Sequence, residues 1–117
     1  MPLAQIYTNC DLTSLQQGDL HDSAVQILAD CLGKKVSSCM IMLEGSLSMS
    51  LGGDGSTCAL IEVSGIDLMN GGANIEDLAR RLGGRVAIVI GAPRERVFVK
   101  IEDVPRGMWG NGAKIFY

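Results

Sequence analysis

The chain has 117 residues, a formal net charge of −3 and a composition that is 47% hydrophobic. This length is typical of one domain, so residues 1–117 are expected to fold around one core. The few aromatic residues and the acidic balance argue against a nucleic-acid partner, because they provide neither a base-stacking surface nor a basic patch. The longest apolar runs, such as residues 86–90, are much shorter than a membrane span, so no membrane role is expected.

The N-terminus has no basic segment followed by an apolar run, as a signal peptide would have. The cytoplasm is therefore the expected compartment, with secretion without a signal peptide as the alternative. No Cys-x-x-Cys pair occurs and His21 is the only histidine, so a zinc site or a dithiol redox site has little support. Buried free thiols are expected at Cys10, Cys31, Cys39 and Cys58.

The first residue that suggests a chemistry is Pro2, which directly follows Met1. Proline is small enough for the methionine to be trimmed, and trimming would leave a secondary amine at the start of a strand. An α-amino group titrates near pH ~7.7–8.0, well below a lysine. Burial would lower its pKa further and make it a good general base, held stiffly by the proline ring. The alternative is that Met-Pro is an ordinary chain start.

The first half of the chain reads as strand, helix and strand. Residues 3–7 form the first predicted strand, and the polar residues 9–18 form a connection that ends in a turn. A helix follows and ends at Gly33, a residue suited to a left-handed C-cap. Residues 38–43 form the second predicted strand, and residues 47–51 can add a short one. Apolar residues recur at helical spacing and predict one buried face: Leu20, Ala24, Ile27, Leu28, Cys31 and Leu32.

The second half reads in the same order. A strand over residues 58–66 is followed by a loop over 69–73 and a helix over 75–90. After Gly84 the local sequence fits a helix and a strand equally well, because glycine disfavours a helix and the β-branched run that follows also fits a strand. A fourth strand is predicted over residues 96–101, and the glycine-rich tail can add a short last strand.

A weak internal repeat favours the helix. Gly33 is followed seven residues later by Met40 in an apolar strand, and Gly91 is followed seven residues later by Phe98 in another. We therefore predict an α/β (α+β) fold in which two βαβ units form a four-stranded mixed sheet with both helices on one face. The other face would remain apolar, and oligomerisation is the economical way to cover it.

These residues together carry a family resemblance over essentially the whole length. The motifs, in order, are Met1-Pro2, Thr8-Asn9, Leu32-Gly33-Lys34, residues 49–53, Cys58-Ala59-Leu60, Ile66, Pro93, Arg96-Val97 and the closing region with Trp109 and Phe116. The chain resembles the macrophage migration inhibitory factor and D-dopachrome tautomerase family of the tautomerase superfamily. The resemblance implies the tautomerase fold and a homotrimer with sheets packed inward and active sites at subunit interfaces. It also implies an isomerase that interconverts keto and enol forms of phenylpyruvate or dopachrome-type substrates without a cofactor.

The resemblance also assigns roles to residues. Pro2 matches the catalytic base, and Leu3 beside it would keep the pocket apolar. Lys34 matches the lysine that pairs with the substrate carboxylate, although a cation just past a helix end is also favoured by the helix dipole. Ile66 matches a residue whose backbone lines the site, and Trp109 matches its aromatic wall to within one residue of alignment.

Several positions depart from the family pattern. Phe98 stands where a tyrosine is common, which removes a hydroxyl donor, and Lys100 stands where an asparagine is frequent. Both lie on the same face of a strand by position parity. Lys100 would either bind an anionic substrate or its enolate, or point to solvent at a subunit edge. The Cys-x-x-Cys of some vertebrate members is absent, because Ile61 stands three residues after Cys58, so no thiol oxidoreductase activity is expected.

The sequence therefore predicts a keto–enol tautomerase that acts on a small aromatic keto acid. One alternative is a cytokine-like signalling or binding protein with a protein receptor and a vestigial pocket. Another is an enzyme of the same fold with a different small anionic substrate.

Overall fold

The computed structural model describes residues 1–68 and 74–117. The loop predicted over residues 69–73 lies outside the described residues. The strands are β1 (Leu3–Thr8), β2 (Met40–Glu44), β3 (Ala59–Ile66) and β4 (Val97–Val104), and the α-helices are α1 (Ser14–Leu32) and α2 (Ile75–Ile90). None of the described helices is long and apolar enough to cross a membrane.

The four strands form one mixed sheet in the order β2-β1-β3-β4. Strands β1 and β2 are parallel, and so are β3 and β4, while β1 and β3 pair antiparallel at the centre. Each parallel pair is joined through a helix, which is the connection that parallel strands require. The predicted architecture of two βαβ units in a four-stranded mixed sheet is thus confirmed.

Helix α1 begins earlier than the sequence suggested. Residues 9–18 were expected to be a connection, but the helix starts at Ser14 and includes Gly18. The cause is a capping box, in which the Thr13 hydroxyl accepts from the Gln16 N–H at 3.1 Å and the Gln16 side chain accepts from the Thr13 N–H at 2.8 Å. Two otherwise unpaired N–H groups are satisfied in this way, and this offsets the low helix propensity of Gly18.

Helix α2 spans the contested segment to its end. Leu78, Leu82 and Val86 lie one helical turn apart and are fully buried, so packing of this face overrides the strand preference of the β-branched run. Asn74 caps the start of the helix, where its side-chain oxygen accepts from the Asp77 N–H at 2.9 Å. Gly91 ends the helix in the left-handed conformation with φ 74°.

The two halves end their helices in the same way. Gly33 also has a left-handed φ of 62°, and in both halves a short 3-10 turn then leads into the next strand. These turns are Val36–Ser38 and Arg94–Arg96. The first of them corrects the predicted strand start at residue 38, because Ser38 belongs to the turn and β2 begins at Met40.

Two short predicted strands did not form. Residues 47–51 contain no strand, and only a single bridge joins Leu51 to Asp54. The tail likewise forms one bridge, between Gly110 and Ile115. Glycines at both sites favour tight turns over extended ladders.

Alternation along the strands separates two faces of the sheet. Ala4, Ile6, Ile61 and Val63 are fully buried and belong to the core beneath the helices. The residues between them face the other way and form what we call the open face. The exposed apolar side chains on the open face lie on the two edge strands and are Met40 and Met42 on β2 and Phe98 on β4.

The middle of the open face is more polar than expected. The register aligns Gln5 with Glu62, and Glu62 with Lys100, in one row across three strands. The prediction of an apolar face is therefore wrong for this row, because alternation fixes which residues face outward but not that all of them are apolar.

Candidate active site

A cleft of about 360 Å³ opens at the N-terminal end of β1. Its walls come from residues 1–3, from residues 37–40 just before and at the start of β2, and from the C-terminal tail at residues 109–111 and Phe116. None of the described residues that line it is acidic. The cleft can therefore accept an apolar or anionic molecule without carboxylate repulsion.

Pro2 is buried and lines this cleft. Its carbonyl oxygen accepts from the N–H of Met40 at 3.0 Å, where the parallel pairing of β1 and β2 begins. The fixed φ of proline and this hydrogen bond together hold the first residues of β1 in one orientation. The nitrogen of Pro2 is joined to Met1 as an amide in this structure.

The electrostatics around the N-terminus favour a neutral amine. Burial lowers the pKa of the α-amino group of Met1, and the positive charge of Lys34 lowers it further, while Cys39 acts in the opposite direction. Burial also raises the pKa of the Cys39 thiol, which opposes formation of a thiolate in the cleft. The charge of Lys34 and the burial of the terminal amine therefore both disfavour protonation of that amine.

The aromatic wall of the cleft is built by a hairpin in the tail. The N–H of Phe116 donates to the carbonyl of Trp109 at 2.8 Å, and the N–H of Gly107 donates to the carbonyl of Phe116 at 3.1 Å. The Asn111 side chain closes the turn by accepting from the N–H groups of Ala113 and Lys114 at 2.8 and 3.1 Å. Trp109 and Phe116 thus line the cleft from a hairpin whose backbone is held by hydrogen bonds.

The structure brings together some of the predicted site residues. Pro2, Leu3 and Trp109 all line the cleft. Lys34 does not line the cleft, but its positive charge lowers the pKa of the terminal amine. Ile66 is 7% exposed at the end of β3 and lies outside the core cluster. The β1–β3 register, continued by two residues, places Ile66 opposite Met1.

Phe98 and Lys100 lie elsewhere in the protomer. Both side chains are exposed on the open face, as their position parity predicted. β4 is separated from β1 by β3, so Phe98 aligns through Leu60 with Tyr7 at the far end of β1. Within one protomer these two residues therefore do not contribute to the cleft at Pro2.

Residues 37–39 and Phe116 line the cleft but were not predicted from the sequence to do so. A signal for the first group existed, because the starts of two parallel strands in a βαβ unit lie side by side. The predicted pairing of β1 with β2 should have placed the residues before Met40 next to Pro2. Across the described ranges, no three histidine, cysteine or acidic side chains come together as a potential metal site.

Comparison with solved structures shows close likeness of fold. The macrophage migration inhibitory factor of Toxoplasma gondii has a TM-score of 0.87 and 26% identity, and the match covers 97% of this chain and 99% of that one. The homologue from Prochlorococcus marinus has a TM-score of 0.89 and 23% identity over 98% and 99% of the two chains. A fused 4-OT, described as an asymmetric trimer, has a TM-score of 0.80 and 22% identity over 97% and 94%.

No protein-family model and no curated protein sequence matches the chain. The likeness to solved structures nevertheless extends over nearly the whole chain and over proteins from diverse organisms. It agrees with the strand order and the helix placement described above. The resemblance inferred from the sequence is confirmed at the level of the fold: the chain has the tautomerase fold of the macrophage migration inhibitory factor-like proteins.

Proposed function

We propose that this protein is a cofactor-free keto–enol tautomerase for small aromatic 2-keto acids such as phenylpyruvate, with Pro2 as the general base. The observation that carries the proposal is the buried Pro2 in the wall of a cleft that has aromatic lining residues and, among the described residues, no acidic one. The proposal requires removal of Met1, because an amide nitrogen has no basic lone pair. The trimmed amine would then experience the burial and the Lys34 charge that lower the pKa at this terminus.

In the proposed reaction the neutral amine of Pro2 removes a proton from C3 of the keto acid. The C3–H electron pair forms the C2=C3 double bond, and the C2 carbonyl electrons move to oxygen as an enolate. The protonated amine then returns the proton to that oxygen, which gives the enol and restores the base. No electron leaves the substrate, so the step needs no oxidant or reductant.

Lys34 is proposed to bind the substrate carboxylate, since its ammonium already lies near the amine. A cation in this position has two effects that act together. It attracts an anionic substrate, and it favours the neutral form of the base. The rim of aromatic side chains would pack against the substrate ring at the same time.

The proposed active form is a homotrimer in which the open faces pack inward. Met40, Met42 and Phe98 are exposed by 61%, 49% and 54% in the isolated chain, and assembly would remove this apolar surface from water. Phe98 and Lys100 would then reach a cleft only from a neighbouring subunit, which fits their absence from the cleft of their own protomer. The likeness to a fused 4-OT described as a trimer supports this assembly.

Replacement of the base tests the proposal directly. Pro2→Gly keeps a terminal amine but removes the ring that fixes its orientation, so kcat for phenylpyruvate tautomerisation should fall by at least about tenfold, a part of the usual contribution of a positioned general base. Pro93→Gly is the matched control, because it makes the same change outside the cleft and should retain wild-type turnover. Full turnover in Pro2→Gly would refute the proposal. Absence of turnover in the trimmed parent would instead support the alternative of a receptor-binding protein.

A further inference from the structure

The guanidinium group of Arg106 links the end of the C-terminal tail, which supplies the aromatic wall, to the end of β3. Arg106 donates from one terminal nitrogen to the backbone oxygen of Tyr117 at 2.6 Å. From the other terminal nitrogen it forms an ion pair with the carboxylate of Asp67. Because both contacts come from the same planar group, the position of Tyr117 is fixed relative to that of Asp67.

Asp67 offers a firm attachment point. It directly follows Ile66 at the end of β3 and adopts a left-handed backbone conformation, with φ 55°, that turns the chain out of the sheet. The next residue is also fixed, because the N–H of Leu68 donates to the Asp103 carboxylate at 3.0 Å. Asp67 therefore lies at the end of a strand where the following backbone is held by a hydrogen bond, and not in an unrestrained loop.

The contacts of Arg106 lie on the hairpin that carries the wall. Gly107, the next residue, is hydrogen-bonded to Phe116 at 3.1 Å and approaches the Tyr117 ring. Phe116 is bonded in turn to Trp109 at 2.8 Å. A chain of three contacts thus joins Asp67 to the backbone of Trp109 through Arg106 and the end of the tail.

We propose that Arg106 is a positioning residue for the active-site cleft, acting through its bridge between Asp67 and Tyr117 to hold Trp109 and Phe116 against the space above Pro2. The kinetic effect of Arg106 rests on the proposed tautomerase function, whereas its effect on the position of the tail does not. Arg106 touches neither the cleft nor the base. It therefore affects how well a substrate ring is bound and leaves the proton-transfer step unchanged.

A purely stabilising role is the simpler explanation for an ion pair at the surface. The Arg106 and Asp67 side chains are 57% and 36% exposed, and such pairs contribute little to global stability. The two readings differ in what they predict. A stabilising pair would change the unfolding midpoint, whereas a positioning residue would change the environment of Trp109 and the KM.

The test uses the intrinsic fluorescence of Trp109, the only tryptophan in the chain. In Arg106→Gln the emission should shift to longer wavelength and iodide quenching should increase, because the indole leaves its partly buried position. The KM for phenylpyruvate should rise roughly threefold to fivefold, the value of one partly exposed ion pair, with kcat unchanged. Arg106→Lys should recover part of both effects, since an ammonium retains the charge but not the two-pronged geometry.

Arg80→Gln is the matched control. It removes the same charge from an ion pair of similar exposure, with Asp77 on α2, and should leave the spectrum and KM unchanged. Asp67→Asn should reproduce the Arg106→Gln spectrum, and the double variant should add nothing further. A wild-type Trp109 spectrum and KM in Arg106→Gln would overturn the proposal. If the protein proves to have no tautomerase activity, the kinetic readout is absent from every variant while the fluorescence difference remains.

Discussion

Thr8 at the end of β1 provides a quantitative test of how the strand that begins at Pro2 is held. Its side chain is fully buried, and it is the one polar residue in the buried core of the described chain. The hydroxyl donates to the carbonyl of Cys58 at 2.7 Å and accepts from the N–H of Cys10 at 3.1 Å. It thereby joins β1 to the start of β3 and to the chain that follows β1.

Thr8→Val keeps the shape of the side chain and removes both hydrogen bonds. The Cys58 carbonyl lies in a residue that is only 4% exposed, so water cannot easily replace the lost donor. Leaving a buried polar group unpaired costs about 1–3 kcal/mol. Cys10 is only partly buried, so its N–H can be hydrated and adds little. We expect the free energy of unfolding to fall by about 2 kcal/mol.

Thr8→Ser is the matched control, because it keeps the hydroxyl and removes only a methyl group. Its expected cost is about 1 kcal/mol, the value of one buried methyl group with its small cavity. Urea unfolding of the three proteins at one protein concentration measures both changes. If Thr8→Val is as stable as Thr8→Ser or more so, hydrophobic burial rather than the hydroxyl contacts fixes this strand, and the reasoning is refuted.

Two further predictions concern the electrostatics of the cleft and the glycines of α2. In Lys34→Gln the loss of a positive charge raises the pKa of the terminal amine, so the acid limb of the pH profile of kcat/KM moves to higher pH. The control Lys35→Gln should leave that limb in place. An unchanged acid limb in Lys34→Gln would contradict the role of Lys34. In Gly84→Ala the new methyl lies 2.6 Å from the Arg94 guanidinium, which is exposed and can swing aside. The helix-propensity gain should then raise the free energy of unfolding, measured by urea titration, by a net ~0.5 kcal/mol. A lower free energy of unfolding would show that the Arg94 contact matters more.

Much of the fold could be predicted because its main signals are local. Helical spacing of Leu20, Ala24 and Leu28 and the equal distances from Gly33 and Gly91 to the next strands were sufficient for both βαβ units. The start of α1 was misjudged because residues 9–18 were interpreted from their polarity and the turn preference of Gly18, and the capping box at Thr13 was not recognised. That box satisfies backbone groups that propensity alone does not consider.

The site was predictable only where residue chemistry or family resemblance pointed to it. Pro2 and Trp109 were identified, and both line the cleft. Phe98 and Lys100 shared a strand face as expected, but parity cannot reveal that β3 lies between their strand and the strand that begins at Pro2. The bridge from Arg106 to Asp67 spans 39 residues and depends on where the tail folds back, which no local pattern encodes.

The central claim is that a free Pro2 amine is the base, and one measurement tests it most directly. Intact mass and phenylpyruvate enol turnover should be determined on the same preparation, and again on protein in which Met1 is retained. The account predicts turnover in the trimmed protein and none in the protein that keeps Met1. Turnover that is equal in both forms, or absent from the fully trimmed protein, would contradict it.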